Sequence, residues 1–238
     1  MYPITDLHMH IVPEIDDGSS DINESLQMLH AAHMQGVTDV FCTSHSGSVK
    51  ENPQKYLDNF SALKEAVQSA NIDVKIHKGC EVLCSGKTID EVLSLLETGA
   101  FTTLGNSKYV LTELYPDLPL SEALFIIEKL KSHGYHPIIA HMERIFSLTG
   151  EKVGALIKNG ALIQVNVQNF VDETEQRERA RQLLDKKYIH FIGSDAHNLT
   201  GRPPRISQGV EYILNNTDAD YAKQILFGSF NPSEQVKV

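Results

Sequence analysis

Short apolar runs alternate along the chain with longer segments in which apolar residues recur every three or four positions. The first pattern is typical of buried strands and the second of amphipathic helices, so together they predict a parallel sheet with crossover helices. Seven strand-helix units are expected, with strands at 4–8, 37–43, 73–79, 109–113, 136–140, 161–165 and 188–193. The predicted helices are 21–35, 54–70, 88–98, 121–133, 151–159, 173–186, 206–215 and 218–227.

Residues that favour helix ends support these boundaries. Ser20 or Asp21 precedes the first helix, Asn52-Pro53 opens the second, and Ser121-Glu122 begins the fourth. Glycines that suit a left-handed helix cap stand just before three strands, at Gly36, Gly134 and Gly160. The Gly/Ser stretch 46–48 and the segment 198–205 are predicted to be loops beside a site.

Composition favours one globular domain over residues 1–238, of which 41% are hydrophobic. The sequence contains no run of about 18 apolar residues, so no membrane span is predicted. The N-terminus lacks the features of a signal peptide. Cys42, Cys80 and Cys84 are odd in number and form no CxxC pair, which predicts buried thiols in a reducing compartment. We therefore expect a cytoplasmic protein without membrane insertion. The net charge of -10, spread along the chain, disfavours nucleic acid as a partner.

Imidazole and carboxylate side chains occur repeatedly where the predicted strands end. They are His8, His10, Asp17, His45, Glu81, Glu113, His141, Asp195 and His197. In an α/β barrel the carboxyl ends of the strands assemble one active site, so these side chains are expected to converge. Such a mixture of nitrogen and oxygen donors suits a cluster of divalent cations, which predicts a metallohydrolase. Asp16 stands beside Asp17, and the sequence leaves open which of the two is the ligand.

The expected charge of this site favours a phosphate substrate. Four of the candidates are carboxylates and carry four negative charges, whereas three divalent ions would bring about six positive charges. The site would then have a net positive charge. Arg144 and Arg202 closely follow candidate ligands and are predicted to clamp phosphate oxygens, with Arg205 a weaker substitute for Arg202. No Cys-x5-Arg loop is present, so hydrolysis is expected to use water activated by metal rather than a thiol. Gln164 and Asn166 make the end of the sixth predicted strand polar without adding a strong ligand.

The segments DLHMHIVPEIDDGSSDINESLQML, GVTDVFCTSH, GCEV, YVLTELYP, AHMERI and GSDAHNLTGRPP resemble the PHP (polymerase and histidinol phosphatase) superfamily. More narrowly, they are similar to the bacterial manganese-dependent tyrosine-protein phosphatases of the CpsB and YwqE type, which are encoded with capsule or exopolysaccharide genes. The resemblance implies a distorted (β/α)7 barrel with a metal site at the C-terminal ends of the strands. It also implies dephosphorylation of the tyrosine-rich tail of a partner bacterial tyrosine kinase, in which metal-bound hydroxide attacks phosphorus.

The resemblance further implies three divalent ions, manganese in the first place and iron or zinc as alternatives. His8, His10, Glu81 and Asp195 would hold one ion; Glu81, Glu113 and His141 a second; and Asp17, His45 and His197 the third. Ser44 and Met142 stand where the family usually has proline. Because proline restricts the backbone, its loss is expected to loosen both loops and to affect substrate preference.

Three alternative functions remain open from the sequence. A small-molecule phosphatase of the histidinol-phosphatase type would share the metals, and a non-catalytic regulatory PHP domain would share the fold. An amidohydrolase also begins with HxH, but that class commonly needs a carboxylated lysine and a later histidine where this chain has Glu113 and Asn166. The oligomeric state is not predicted.

Overall fold

The computed structural model describes residues 3–227, which contain eight strands and nine α-helices. The strands are β1 (Ile4–Met9), β2 (Val37–Cys42), β3 (Lys75–Lys78), β4 (Glu81–Cys84), β5 (Tyr109–Leu114), β6 (His136–Ile139), β7 (Leu162–Asn166) and β8 (Phe191–Gly193). The helices are α1 (Ile22–His33), α2 (Ser46–Glu51), α3 (Pro53–Ser69), α4 (Ile89–Glu97), α5 (Leu120–Ser132), α6 (Glu151–Lys158), α7 (Gln176–Asp185), α8 (Ser207–Asn216) and α9 (Ala219–Phe227). Among residues 3–227, no helix is both long and apolar enough to span a bilayer.

All paired strands are parallel, as the alternation of strands and helices predicts. They form two sheets, with the orders β1-β2-β3 and β4-β5-β6-β7-β8. Two isolated parallel bridges join the sheets, one between Met9 and Ala196 and the other between His45 and Glu81. The sheets therefore close into a distorted barrel, which confirms the expected fold class.

The third strand is where the prediction is wrong. Instead of one strand at 73–79, the chain forms β3, which pairs with β2, and then β4, which pairs with β5. Only Gly79 and Cys80 separate them, so the two short strands occupy one of seven positions around the barrel. A Cβ atom at Gly79 would lie 2.9 Å from the Leu104 side chain and 3.0 Å from that of Thr43, which is why glycine fits this break.

Local signals at helix ends are mostly confirmed. The Asp21 side chain caps α1 by accepting a hydrogen bond from the Glu24 N–H, and Asn52 caps α3 in the same way. Gly36 has a φ of 93°, as a left-handed cap requires. Two predictions are wrong: 46–48 lies in α2 rather than in a loop, and α5 begins at Leu120, one residue before Ser121.

A small apolar cluster fills the barrel beneath its carboxyl-end mouth. Leu7, Phe41, Leu111, Ile138 and Leu162 belong to it and are almost completely buried. Residues two apart on a strand share a face, so Leu111 places Glu113, and Leu162 places Gln164, above this cluster. A larger cluster packs the helices against the outside of the sheets.

The first prediction concerns Tyr56, which fastens α3 to the break between β3 and β4. Its buried hydroxyl lies 2.7 Å from the carbonyl oxygen of Gly79 and 3.1 Å from that of Cys42, and it accepts a hydrogen bond from the Gly79 N–H. Tyr56→Phe leaves these groups unsatisfied and should lower the free energy of unfolding by about 1–3 kcal/mol in urea titrations. Tyr115→Phe, at an exposed position, is the control and should change it by less than about 0.5 kcal/mol. Equal effects of the two substitutions would contradict this role.

Candidate metal centre

All nine side chains predicted as ligands come together at the carboxyl-end mouth of the barrel. His8 and Glu113 lie within β1 and β5, Glu81 opens β4, and the others follow β1, β2, β6 and β8 in loops. Glu81 therefore starts a strand, instead of following one as the sequence predicts. His141 and Asp195 adopt left-handed backbone conformations, with φ values of 30° and 52°. These turns aim both side chains back over the mouth.

Glu81 is at the centre of the cluster and is only 1% exposed. Its Oε2 atom lies 3.4 Å from His8 Nε2, 3.3 Å from His10 Nε2 and 2.9 Å from His45 Nδ1. Its Oε1 atom lies 2.8 Å from His141 Nε2. Burial raises the pKa of Glu81, but the surrounding histidines outweigh it and hold this pKa well below its usual range. The carboxylate is thus an anion with four imidazoles around it.

Asp195 faces the same pair of imidazoles as Glu81. Its Oδ1 atom lies 3.5 Å from the Nε2 atoms of both His8 and His10, which are themselves 3.0 Å apart. Burial raises the pKa of Asp195, but the neighbouring His8, His10 and Arg144 outweigh it and hold this pKa well below its usual range. Two buried carboxylates therefore converge on the His-x-His pair of β1.

Three overlapping groups of donor atoms could each hold a cation, because one potential ligand atom per residue lies within 4.8 Å of the others. The groups are His10, Asp17, His45 and His197; His8, His10 and Glu81; and His45, Glu81 and Glu113. His141 Nε2 lies 3.8 Å from Glu113 Oε1 at the edge of the third group. Two residues differ from the ligand sets that the resemblance implies. His10 lies in the group that contains Asp17 as well as in its expected group, and His45 lies in the group that contains Glu113 as well as in its own.

Asp16 and Asp17 have different surroundings. The Asp16 side chain is only 1% exposed, and its Oδ2 atom accepts hydrogen bonds from His10 Nδ1 at 2.9 Å and from the His45 N–H at 2.8 Å. Asp17 is 66% exposed and places Oδ1 3.3 Å from His45 Nε2 and 3.4 Å from His197 Nε2. Asp17 is thus the better placed ligand, whereas Asp16 orients the His10 imidazole and holds the backbone at His45.

The hydrogen bonds of the histidines leave lone pairs for a cation. His197 Nδ1 donates to the carbonyl oxygen of Asp195 at 2.9 Å, so its Nε2 atom carries the lone pair. That Nε2 atom and Glu81 Oε2 are buried without a hydrogen-bond partner. Burial and the neighbouring His10 lower the pKa of His197 to about 4, so this imidazole is neutral at pH 7. Orphaned donors of this chemistry fit a divalent metal.

Sequence reasoning missed the part played by the two buried amides of β7. Gln164 Oε1 accepts a hydrogen bond from the His141 N–H at 2.7 Å and lies 3.4 Å from His8 Nδ1. Gln164 Nε2 donates to Asn166 Oδ1, and Asn166 Nδ2 donates to Asp195 Oδ2 at 3.0 Å. This chain of amides fixes three candidate ligands from below. The only sequence signal for this chain of amides was the presence of two polar residues, two positions apart, at the end of a predicted strand.

Glu143 is a second residue whose part the sequence did not reveal. It is fully buried, and its Oε1 atom accepts hydrogen bonds from the Asn166 N–H at 3.1 Å and from Asn169 Nδ2 at 2.7 Å. Burial raises its pKa. Glu143 thereby fastens the short turn that carries His141 and Arg144 to the residues around the end of β7.

Both predicted phosphate-binding arginines reach Asp195 from the open side. Arg144 Nη2 and Arg202 Nη2 lie 2.7 Å and 2.8 Å from Asp195 Oδ2. A turn holds Arg202 in place, because the Asn198 side chain accepts hydrogen bonds from the N–H groups of residues 200, 201 and 202. Arg205 pairs with Asp172 instead and does not reach the cluster.

The other candidate residues lie outside the cluster or in its packing. Six histidines are elsewhere: His30, His33, His77, His133, His136 and His190. Ser44 and Met142, expected to loosen their loops, are both fully buried, and the Ser44 carbonyl accepts a hydrogen bond from the Glu81 N–H. The three cysteines are buried and free. Burial raises their pKa values, that of Cys84 to about 12.

Comparisons with known proteins give a consistent result. The family model for capsular polysaccharide synthesis, CpsB/CapC, matches residues 4–237. Tyrosine-protein phosphatase CpsB of Streptococcus pneumoniae is 31% identical over 231 residues, which cover 92% of this chain and 93% of that protein. Tyrosine-protein phosphatase YwqE of Bacillus subtilis is 30% identical over 205 residues, 83% of this chain and 78% of that protein.

Solved structures extend the comparison to the fold. A crystal structure described as one of the unique metal-dependent tyrosine phosphatases YwqE from Bacillus subtilis and CpsB from Streptococcus pneumoniae matches with a TM-score of 0.77 at 26% identity. The match covers 90% of this chain and 89% of that one. An amidohydrolase from Mycoplasma synoviae matches with a TM-score of 0.62 at 12% identity, over 94% of this chain and 85% of that one. The second likeness is one of fold alone.

The second prediction tests metal binding without an activity assay. A ligand that binds only the folded state raises the Tm, by an amount that grows with its concentration over Kd. Adding Mn²⁺ to chelator-treated protein should therefore raise the Tm, and Glu81→Gln should remove most of that rise because one side chain serves two donor groups. Glu128→Gln, on the exposed side of α5, should leave the rise unchanged. A full Mn²⁺-dependent rise in the Glu81 variant would exclude Glu81 as a ligand.

Proposed function

The chain belongs to the capsular polysaccharide synthesis CpsB/CapC family, and we propose that it is a metal-dependent tyrosine-protein phosphatase. One observation supports this most directly: seven metal-type donors form three groups at the barrel mouth, His141 and Asp195 adjoin them, and two arginines reach Asp195 from the open side. Donors without arginines would suit many hydrolases, whereas the two guanidinium groups add a site for a phosphate dianion. The complete donor set also favours catalysis over the alternative of a regulatory domain.

The proposed cofactor is a cluster of three divalent ions, with manganese first and iron or zinc as alternatives. Its support is the presence of three donor groups, two of which contain Glu81 and two of which contain His10. Bound ions would acidify a coordinated water and neutralise phosphate oxygens. Residues 1–238 would form one catalytic domain, since both joints between the sheets border this site. The free, buried thiols are consistent with action in the cytoplasm.

In this proposal, the chain's own residues bind the phosphate and hold the metal-binding side chains in position. Arg144 and Arg202 bind the phosphate oxygens through their planar forks, and Asp195 keeps both guanidinium groups turned towards the mouth. Asp16, Gln164 and Asn166 hold the donor side chains in one orientation, which lowers the reorganisation needed when substrate binds. The proposed substrate is a phosphotyrosine protein, and the proposed partner, which follows from the motif resemblance, is a bacterial tyrosine kinase.

The third prediction separates metal from thiol chemistry. Chelation should abolish hydrolysis of a phosphotyrosine peptide, and added Mn²⁺ should restore it. Alkylation with iodoacetamide should leave most activity, because Cys42, Cys80 and Cys84 are buried and their raised pKa values keep them protonated. Loss of activity on alkylation, together with resistance to chelator, would refute the proposed mechanism.

The fourth prediction concerns the two arginines. Arg144→Ala and Arg202→Ala should each lower kcat/KM roughly 10- to 1,000-fold while metal content stays intact, since each removes charge-assisted hydrogen bonds to phosphate. Lysine should restore little, because it lacks the planar fork. Arg205→Ala is the matched control and should stay near wild type. Lost metal in the Arg144 and Arg202 variants would show a structural part instead.

A further inference from the structure

Two exposed aromatic side chains lie in the loops that follow candidate site residues at the carboxyl ends of β5 and β6. Tyr115 lies two residues after Glu113, just past the end of β5, and Phe146 lies two residues after Arg144. The exposed fractions are 46% for Tyr115 and 64% for Phe146. Exposure of one large apolar side chain is common, but two beside the same mouth point to a contact surface.

The backbone beneath these rings is fixed, so their exposure does not come from a loose loop. The Ser147 N–H donates to the Pro116 carbonyl at 3.2 Å, and the Ser147 hydroxyl donates to the Leu118 carbonyl at 2.7 Å. These bonds join the loop after β5 to the loop after β6. Ile145, next to Phe146, is completely buried. The two loops form one anchored rim that presents Tyr115 and Phe146 outward.

Other exposed apolar side chains of residues 3–227 differ from this pair. Met34, Phe125 and Leu214 lie on or beside the outer helices. The Phe125 ring also has a cation partner, with Lys129 Nζ 5.7 Å from its centroid. Within the described part of the chain, neither Tyr115 nor Phe146 has an aromatic or cationic partner.

We propose that Tyr115 and Phe146 bind the phenol ring of the substrate. This inference rests on the proposed function. It assigns residues that recognise the phenol ring of the substrate, in addition to those that bind its phosphate. The arginines and metal donors contact only phosphate oxygens and do not distinguish an aryl ester from free phosphate. A ring attached to that phosphate must leave the mouth past its rim, where aromatic faces and edges offer offset-stacked or edge-to-face contact. Tyr115 and Phe146 are thus specificity-determining residues for an aryl phosphate.

The test compares ligands with and without a ring at the same site. For Tyr115→Ala, Phe146→Ala and the double variant, we would measure kcat/KM for a phosphotyrosine peptide and for phenyl phosphate, and Ki for inorganic phosphate. Each single variant should lose roughly 3- to 10-fold in kcat/KM on both aryl substrates, mainly through KM. The Ki for phosphate, the metal content and the Tm should stay unchanged. Phe125→Ala is the matched exposed-ring control and should behave as wild type.

Several results would overturn the inference. Unchanged kcat/KM in the double variant would remove the rings from recognition, and an equal loss of phosphate affinity would make them part of the phosphate site. A loss on the peptide but not on phenyl phosphate would assign them to the peptide chain rather than to the phenol ring. Wild-type protein that hydrolyses neither aryl substrate would overturn the proposed function itself, which distinguishes that failure from the others.

Discussion

The burial of the Glu81 carboxylate is the constraint on which the rest of the site depends. An ionised carboxylate taken out of water costs several kcal/mol unless opposite charge and hydrogen bonds surround it. Here, four imidazole nitrogens lie 2.8–3.4 Å from its two oxygens, and His141 Nε2 forms a hydrogen bond with Oε1. Removing any one of them leaves the anion less compensated, so these histidines stabilise the folded mouth as well as being candidate metal ligands. The stacking of His10 on His197, with centroids 3.8 Å apart, shows how crowded the arrangement is.

The position of Glu81 follows from the way the barrel closes. After Gly79 and Cys80 the chain leaves its pairing with β2 and takes up pairing with β5, while His45 and Glu81 bridge the resulting gap. At the other joint, Met9 bridges Ala196 and brings the His-x-His pair to Asp195. Regular ladders stop at both joints, so the backbone is free to adopt turns such as that at Asp195. The same breaks that distort the barrel therefore assemble the donors.

Much of this could be predicted from the sequence, because hydrophobic period and strand-end position are local signals. Six of the seven predicted strands are present, although β8 begins only at Phe191, three residues later than expected. The split of the third strand was not predictable from KIHKGCEVLC, since a change of pairing partner leaves no local signal apart from one glycine. The stretch 46–48 is predicted as a loop because of its Gly/Ser content, yet it begins the helix Ser46–Glu51, where packing of Val49 into the core favours a helix. The roles of Gln164, Asn166 and Glu143 were not predictable, because their hydrogen-bond partners lie about 20 to 160 residues away in the chain. His8 and Gln164 are the most distant of these pairs.

Asp195 couples the two halves of the site through its two oxygens. Oδ1 faces His8 and His10, whereas Oδ2 contacts both arginines and Asn166. The described contacts with Asp195 use one nitrogen of each guanidinium group, and an arginine has five N–H donors in a planar fork. Asp195 thus holds both forks from the buried side, and donors remain for an anion on the open side. Because the same carboxylate orients the arginines and faces the central imidazoles, a displacement of either set moves the other, and the candidate metal ligands and the two arginines form one coupled, preorganised unit.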